Sequence, residues 1–488
     1  MKIEIKDGQN NIGGNKIFIL DKNGKAVILD FGKNFSLYGK YFEEFLTPRA
    51  GAGIYDFWKL NLVPHARSLY REDVLAYVEE INNLPSYDPV FLFISHAHVD
   101  HFGYVPFLRE DIPIISTKIT YDIIKSYQDT TQTGLFSEFY AGSKRSVKSG
   151  LKENKLHKGK DTETFKRSFI TDFPNNSISE FEGFKYRVFE VDHSVPGASS
   201  IYLEVDGVKV AYTGDLRFHG KNAQKTKDFF YFLKEIGVNV LITEGTRIGN
   251  DFIGKQYTES DVKEACLNAI KENCGKLVIA DFGARNIERL QIFVEVSKET
   301  NRKIAITTKD LYLLDLLKED GINIIDNENL VVIESKREQE RNWKKELLER
   351  YKNKVITIKE INDNQGDYIV CYSFWDMPNL LDMKIDSGAY IYSTSEAFNE
   401  EQILDIERLL NWLRYFNLKP YGITFVDGKM SFTREYHVSG HANSKDLMEY
   451  IELAKPDYLI PVHSEHTKTF KEFLGEKTKF VFESVFEL

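Results

Sequence analysis

Short apolar runs dominate the first half of the chain. "KIFILD", "AVILDF", "PVFLFIS", "YRVFEVDH", "SSIYLEV", "KVAYTGD" and "NVLITEG" are rich in β-branched and aromatic residues and are bounded by Gly, Asn or Asp. Such runs predict strands. Several finish in a carboxylate or an imidazole: Asp30, His96, Asp192 and His193, Asp215, and Glu244. Polar groups gathered where strands end predict a site on one rim of a sheet, held by rigid elements.

After about residue 247 the periodicity changes. "SDVKEACLNAIKENCG" reads as a helix, with Ser260 as its cap and Gly275 as its stop. A strand "KLVIADF", a helix "RNIERLQIFVEVSKET", a strand "KIAITT" and a helix "DLYLLDLLKED" follow, with further strands at "YIVCYS" and "AYIYSTS". Strands alternating with helices of this length predict βαβ units and a parallel, doubly wound sheet. A helix is expected over 400–416, where Ile403, Ile406, Leu410 and Leu413 share one face. The last 60 or so residues return to strand and loop, with "SGHANSKDLMEYIELA" entering a helix and "DYLIPVHSEH" a strand ending in histidine. The expected division is 1–246 for a first domain, 247–425 for an inserted domain, and 426–488 for the part that returns to the first. Lys33–Pro85 and Ile124–Phe181 carry no clear period; long segments of this kind are usually lids, binding loops or disordered.

Composition narrows the class. At 488 residues two or three domains are expected. The N-terminus "MKIEIKDGQN" lacks the basic-then-apolar order of a signal peptide, and no apolar run approaches the roughly 18 residues that span a bilayer. Cys266, Cys274 and Cys371 form neither a disulfide framework nor a cysteine metal site, so a reduced, cytoplasmic protein is expected. The net charge of −10 opposes a general nucleic-acid binder, but charge is local: Lys144–Arg167 holds nine Lys or Arg against three acids. This segment reads either as a solvated loop or as a basic flap beside an anionic substrate.

The sharpest chemistry lies in "FISHAHVDHFG". Of the eleven histidines, His96, His98 and His101 fall within six residues, with Asp100 among them. In H-x-H leaving a strand, both imidazoles point one way and can reach one cation. Asp100 and His101, opening a predicted helix "DHFGYVPFLRE", diverge toward a second cation. His193, Asp215 and His463, all at strand ends, complete the set. Seven side chains with one shared carboxylate satisfy two metals with four bonds each. Imidazole and carboxylate without thiolate suit zinc, with manganese as the alternative.

"SHAHVDH" resembles the signature of the metallo-β-lactamase superfamily, whose fold is an αββα sandwich with a dinuclear site on one edge. The resemblance implies that Asp30 supports the site loop without binding metal. It implies that His96, His98, His193 and Asp215 hold one metal, and that Asp100, His101, bridging Asp215 and His463 hold the other. Glu244 in "LITEGT", His441 in "HVSGHANSKDL" and the late His463 resemble the motifs of the β-CASP nucleases, which insert an α/β domain before the final metal histidine. "SGHA" and "PVHSEH" look like the ribonuclease J type. About 25 residues follow His463, so the separate C-terminal domain of bacterial ribonuclease J, associated with assembly, is not expected. The stretch of about 65 residues between Asp30 and His96 is longer than in that type.

The implied activity is a metal-dependent phosphodiesterase acting on single-stranded RNA, in which a hydroxide shared by two metals attacks phosphorus. Asp100 would serve the metals, His441 would protonate the leaving oxygen or neutralise the phosphorane, and Glu244 would orient His441. Ser439 and His441 would contact phosphate, while His437 is expected to be structural. Arg285, Arg289 and Lys144–Arg167 are candidates for a basic wall. The alternatives are a β-CASP DNA nuclease, a small-molecule hydrolase of the same fold, or a non-catalytic partner that has lost its metals. Oligomeric state is not legible.

Overall fold

The computed structural model describes residues 1–43, 45–79, 81–131, 134–148, 155–159, 162–173, 177–249, 256–283, 285–334, 342–394, 406–426, 429–475 and 478–488. The chain divides into two compact units, one built from residues 1–193, 197–252 and 441–488, the other from 194–196 and 253–440.

The first unit holds two seven-stranded sheets. In one, Lys2–Asp7, Lys16–Leu20, Lys25–Leu29, Asp88–Phe93 and Ile114–Ile115 lie side by side in chain order. The other runs Ser179–Phe181, Phe184–Glu190, Ser199–Val205, Val208–Tyr212, Val240–Thr243, Tyr458–Pro461 and Lys479–Phe480. The sheets meet face to face through Ile17, Ile19, Val27, Phe91 and Phe93 from one and Ile201, Leu203, Val210, Tyr212, Ile242 and Ile460 from the other. These are alternate residues of each strand, as a half-buried face requires. Helices Ala223–Ile236 and Ser444–Ala454 cover the outer face of the second sheet through Phe229, Phe230, Leu233, Leu447 and Ile451. This is the αββα sandwich.

Strand register explains the site's position. Val208–Tyr212, Val240–Thr243 and Tyr458–Pro461 are parallel, with Tyr212 opposite Ile242 and Thr243 opposite Pro461. Their C-terminal ends therefore share one edge, and Asp215, Glu244 and His463 leave it together. In the first sheet Leu29 lies opposite Phe93, also in parallel, which brings Asp30 beside the turn carrying His96.

The second unit is an all-parallel seven-stranded sheet in the order Val355–Ile356, Leu330–Ile333, Lys303–Ile306, Tyr368–Cys371, Leu277–Asp281, Gly388–Tyr392 and Leu418–Tyr421. Leu277–Asp281 is buried at every position, as a strand covered on both faces must be.

Several details differ from the sequence expectations. By its contacts the first unit resumes at 441, and the hairpin Ile423–Val426 with Lys429–Phe432 packs on the second core through Ile423, Phe425 and Phe432. Helix Glu259–Glu272 is capped by Thr258 and not by Ser260; Thr258 and Asp261 exchange reciprocal bonds that satisfy two free N–H groups. The helix placed over 400–416 is described as Ile406–Tyr415, and Ile403 lies outside the described residues. Among its described side chains Leu409 and Leu413 are buried and Leu410 is half-buried, while the Ile406 side chain lies outside the described ones. "DHFGYVPFLRE" gives only the short helix Val99–Phe102 and a single tight turn at Val105–Phe107, since Pro106 removes a donor there.

The two unassigned segments are pinned to each other. Arg71, 1% exposed, donates to Asp73 (2.6 Å), Glu138 (3.0 Å) and the Ser143 carbonyl (2.9 Å). Burial works against its charge, but the two carboxylates outweigh it and raise its pKa. Lys144–Arg167 is correspondingly not a uniformly free basic flap. Arg145 binds Glu138, Lys144 binds Glu110 and Glu163, and buried Arg167 donates to the carbonyls of Leu108 and Arg109. Among the described residues, no helix is long and apolar enough to cross a membrane.

Candidate metal centre

The turn after Asp88–Phe93 carries Ser95 and His96, and His98 precedes the helix Val99–Phe102. Two close approaches hold this turn. A Cβ on Gly32 would lie 1.5 Å from the Asp100 carbonyl oxygen, and one on Gly13, whose φ is +76°, would lie 2.7 Å from Asp100 Oδ2. Only glycine admits the neighbouring loops there. Asp30 and His463 themselves adopt positive φ, +56° and +50°, a costly conformation that surrounding contacts must enforce.

Four overlapping groups of ligand atoms result. His96, His98 and His193 form one and Asp100, His101 and His463 another, while Asp215 joins His96 and His101 in a third and Glu244, His441 and His463 in a fourth; within each, all atoms lie within 4.8 Å of one another. His98 Nδ1 is 3.1 Å from His96 Nε2 and 3.3 Å from His193 Nε2. His463 Nε2 lies 3.2 Å from Asp100 Oδ2. Asp215 Oδ2 stands between the first two groups, 3.1 Å from His101 Nε2 and 3.6 Å from both His96 Nε2 and His463 Nε2.

Surrounding groups fix the tautomers. Asp30 is fully buried and accepts from Ser95 N–H (2.7 Å), Ser95 Oγ (2.8 Å) and Tyr212 OH (2.7 Å). Its Oδ2 lies 2.8 Å from His101 Nδ1, so that nitrogen carries a proton. Burial opposes charge on this ring, but Asp215, Asp100 and Asp30 outweigh it and hold His101 well above the ordinary histidine range, so Nε2 would yield its proton when a cation binds. Ser95 Oγ, already donating to Asp30, is 3.0 Å from His96 Nδ1 and sets that ring the same way. Burial, reinforced by the neighbouring rings, pushes His96 and His193 well below the ordinary histidine range, so both are neutral. Burial alone would raise Asp100 and Asp215. The adjacent histidines, His101 foremost, overcome it, holding Asp100 down at about 2 and Asp215 well below the ordinary carboxylate range.

The donor set fits a metal. His101 Nε2 and Asp215 Oδ1 are buried without a hydrogen-bond partner among the described residues. Neutral His96 and His193 beside ionised Asp100 and Asp215, with His101 protonated by those carboxylates, form a set in which a cation can replace a proton, and nitrogen with oxygen donors suits a divalent one.

His441 lies beside this cluster, its Nδ1 3.0 Å from Glu244 Oε2 and 3.9 Å from Asp215 Oδ2. Glu244, 1% exposed, also accepts from Leu216 N–H (2.8 Å) and Thr246 Oγ1 (2.7 Å). Nine residues expected at the site, plus Asp30, thus come together within the first unit. Ser439 is buried and belongs to the second unit. His437 is buried, with its two ring nitrogens on the carbonyls of Thr394 (3.1 Å) and Gly422 (2.7 Å), which is a structural role. Arg289 is no part of a basic surface: it is fully buried, bonded to Ser393, Tyr436 and Glu259. Sequence reasoning missed Ser95, Tyr212 and Thr246. Only the adjacency of Ser95 and Thr246 to motif residues could have flagged two of them.

Comparison with known proteins agrees with this geometry. Residues 69–246 match the family model of the metallo-beta-lactamase superfamily, and residues 426–482 match one described as a Zn-dependent metallo-hydrolase RNA specificity domain. Ribonuclease J of Mycoplasma pneumoniae is 24% identical over 392 residues, covering 79% of this chain and 59% of that protein. Ribonuclease J2 of Bacillus subtilis is 22% identical, covering 77% and 58%, and ribonuclease J of Helicobacter pylori 21% identical, covering 96% and 56%. The chain spans less than three fifths of the length of these relatives. A crystal structure of a protein of unknown function from Enterococcus faecalis shares the fold, with a TM-score of 0.72, 20% identity and coverage of 98% and 97%. The signature turn, the two-sheet sandwich and these matches together make the chain similar to the metallo-β-lactamase superfamily over residues 69–246, and similar to ribonuclease J.

Proposed function

We propose that this protein is a metal-dependent phosphodiesterase that cleaves single-stranded RNA. The observation that carries the reading is Asp215 Oδ2, poised 3.1–3.6 Å from histidines of two ligand groups, where one carboxylate bridges two sites. His96, His98, His193 and Asp215 would hold one divalent ion, and Asp100, His101, Asp215 and His463 the other. Zinc fits these donors best, with manganese as the alternative. When bound, the ions supply an activated water at neutral pH and neutralise charge on a phosphate.

The chain's own residues do the rest. Asp100 and Asp215 would hold the ions, and Asp30 and Ser95 fix the His101 and His96 rings beside them. His441, backed by the Glu244 carboxylate, is placed to give a proton to the departing oxygen or to stabilise charge on phosphorus. The similarity to the ribonuclease J proteins and to the RNA specificity domain supports RNA as the substrate.

The test uses 5′-monophosphorylated single-stranded RNA and matched DNA, each with Zn²⁺ or Mn²⁺. RNA cleavage that disappears in His98→Ala is the expected result. Cleavage of DNA alone, or of neither polymer, overturns the proposal.

A further inference from the structure

The long segment between Asp30 and His96 builds a separate pocket in the first unit. Its volume is about 540 Å³, and Arg49, Tyr55, Lys59, Tyr77, Glu79 and Lys155 line it. That volume is typical of small-ligand sites.

The walls are built from buried anchors. Helix Tyr55–Lys59 is fixed by Phe57, whose ring lies 4.9 Å from that of Phe107 and 5.4 Å from that of Tyr104. Tyr55 and Lys59, four positions apart, therefore share the opposite face, with Lys59 Nζ 5.5 Å from the Tyr55 ring centre. Arg49 is aimed by Asp56, which accepts from its side chain (2.5 Å) and its N–H (2.8 Å). The strand Lys155–His157 forms the other wall. Gly53, with φ +63°, admits it: a Cβ there would meet the Val74 carbonyl at 2.4 Å and Leu156 Cδ1 at 2.9 Å.

Three cations and one acid line the space, a sum of +2, or +1 when Asp56 behind Arg49 is counted, on a chain of net charge −10. The Tyr77 hydroxyl is buried with no hydrogen-bond partner among the described residues. Ammonium groups beside tyrosine rings suit a ligand with a phosphate and a flat, polar ring, which is a nucleotide.

We propose that this pocket binds one nucleotide of a single-stranded RNA away from the metal centre, with the phosphate on Lys59 and Lys155 and the base against Tyr55 or Tyr77. The preference for an RNA chain over a free nucleotide rests on the function proposed above; the pocket's chemistry does not.

The test uses the full chain carrying His98→Ala, so that RNA is bound and not consumed. Binding of a labelled 12-residue oligoadenylate is followed by anisotropy, and binding of AMP and of inorganic phosphate by calorimetry. Adding Lys59→Glu with Lys155→Glu is expected to weaken the oligomer at least tenfold and to flatten its salt dependence, and adding Tyr55→Ala to weaken it about tenfold. Unchanged oligomer affinity in both variants overturns the proposal. A pocket-dependent affinity for AMP without one for the oligomer overturns the chain assignment, and equal affinity for phosphate and AMP overturns the base contact. Cleavage by the otherwise wild-type chain is measured separately: without it the ribonuclease reading fails, whatever the pocket binds.

Discussion

The Thr246 hydroxyl lies 2.8 Å from Nδ1 of His463 and donates to Glu244 Oε2 at 2.7 Å. Its proton is committed to the carboxylate, so it accepts from the His463 Nδ1–H and turns the Nε2 lone pair toward Asp100 and Asp215. One small side chain thereby orients a predicted ligand and the carboxylate behind His441. Thr246→Val keeps the shape and removes both bonds. Metal affinity is expected to fall about 10- to 100-fold, as for other partners of metal ligands. Titration against a competing chelator checks it, and cleavage at saturating metal should recover most of its rate.

His441→Ala should lower kcat about 10²- to 10⁴-fold, the range of general acid–base catalysis, with metal content unchanged. Glu244→Gln should cost less, because His441 stays in place but loses the charge behind its Nδ1. Single-turnover cleavage together with elemental analysis of bound metal distinguishes lost chemistry from lost ions. A metal content that falls with His441 would make it a ligand.

Removing Arg71 should loosen both extra segments at once. Arg71→Ala leaves Asp73 and Glu138 facing each other in a nearly dry site. Breaking a buried pair in this way costs about 3–5 kcal/mol. Thermal melting measures the loss, and limited proteolysis should cut first within 33–85 or 124–181.

Asp281 gives the second unit a pH dependence. Burial raises its carboxyl to about 7, against 3.8 for the free side chain, although Tyr390 OH donates to it. A folded-state pKa above the unfolded one means that its contribution to stability is full below pH 4 and lost as pH rises through about 7. The shift corresponds to a loss of about 4 kcal/mol. Asp281→Asn should remove that slope, so the variant gains stability relative to wild type at pH 8 more than at pH 5. Denaturant melts at the two pH values provide the comparison.

The sequence by itself determined what is written over short distances. Strand runs such as "AVILDF" and "KVAYTGD" follow from alternation against a core, and "HAHVDH" declares its chemistry because six neighbouring residues already supply four donors. The parallel character of the second sheet was equally local, since helices recur between fully apolar strands. The candidate ligands far apart in sequence, His193, Asp215 and His463, could be named from their family motifs and their strand-end positions. Tertiary structure decided the partners. Thr246 meets His463 across 217 positions, and Tyr212 meets Asp30 across 182. These contacts depend on which strands pair and in which register, with Thr243 opposite Pro461 and Leu29 opposite Phe93. The same holds for Arg71, Arg145 and Arg167, which look like surface charge in sequence. Their inward turn depends on carboxylates and carbonyls that only the folded loops supply.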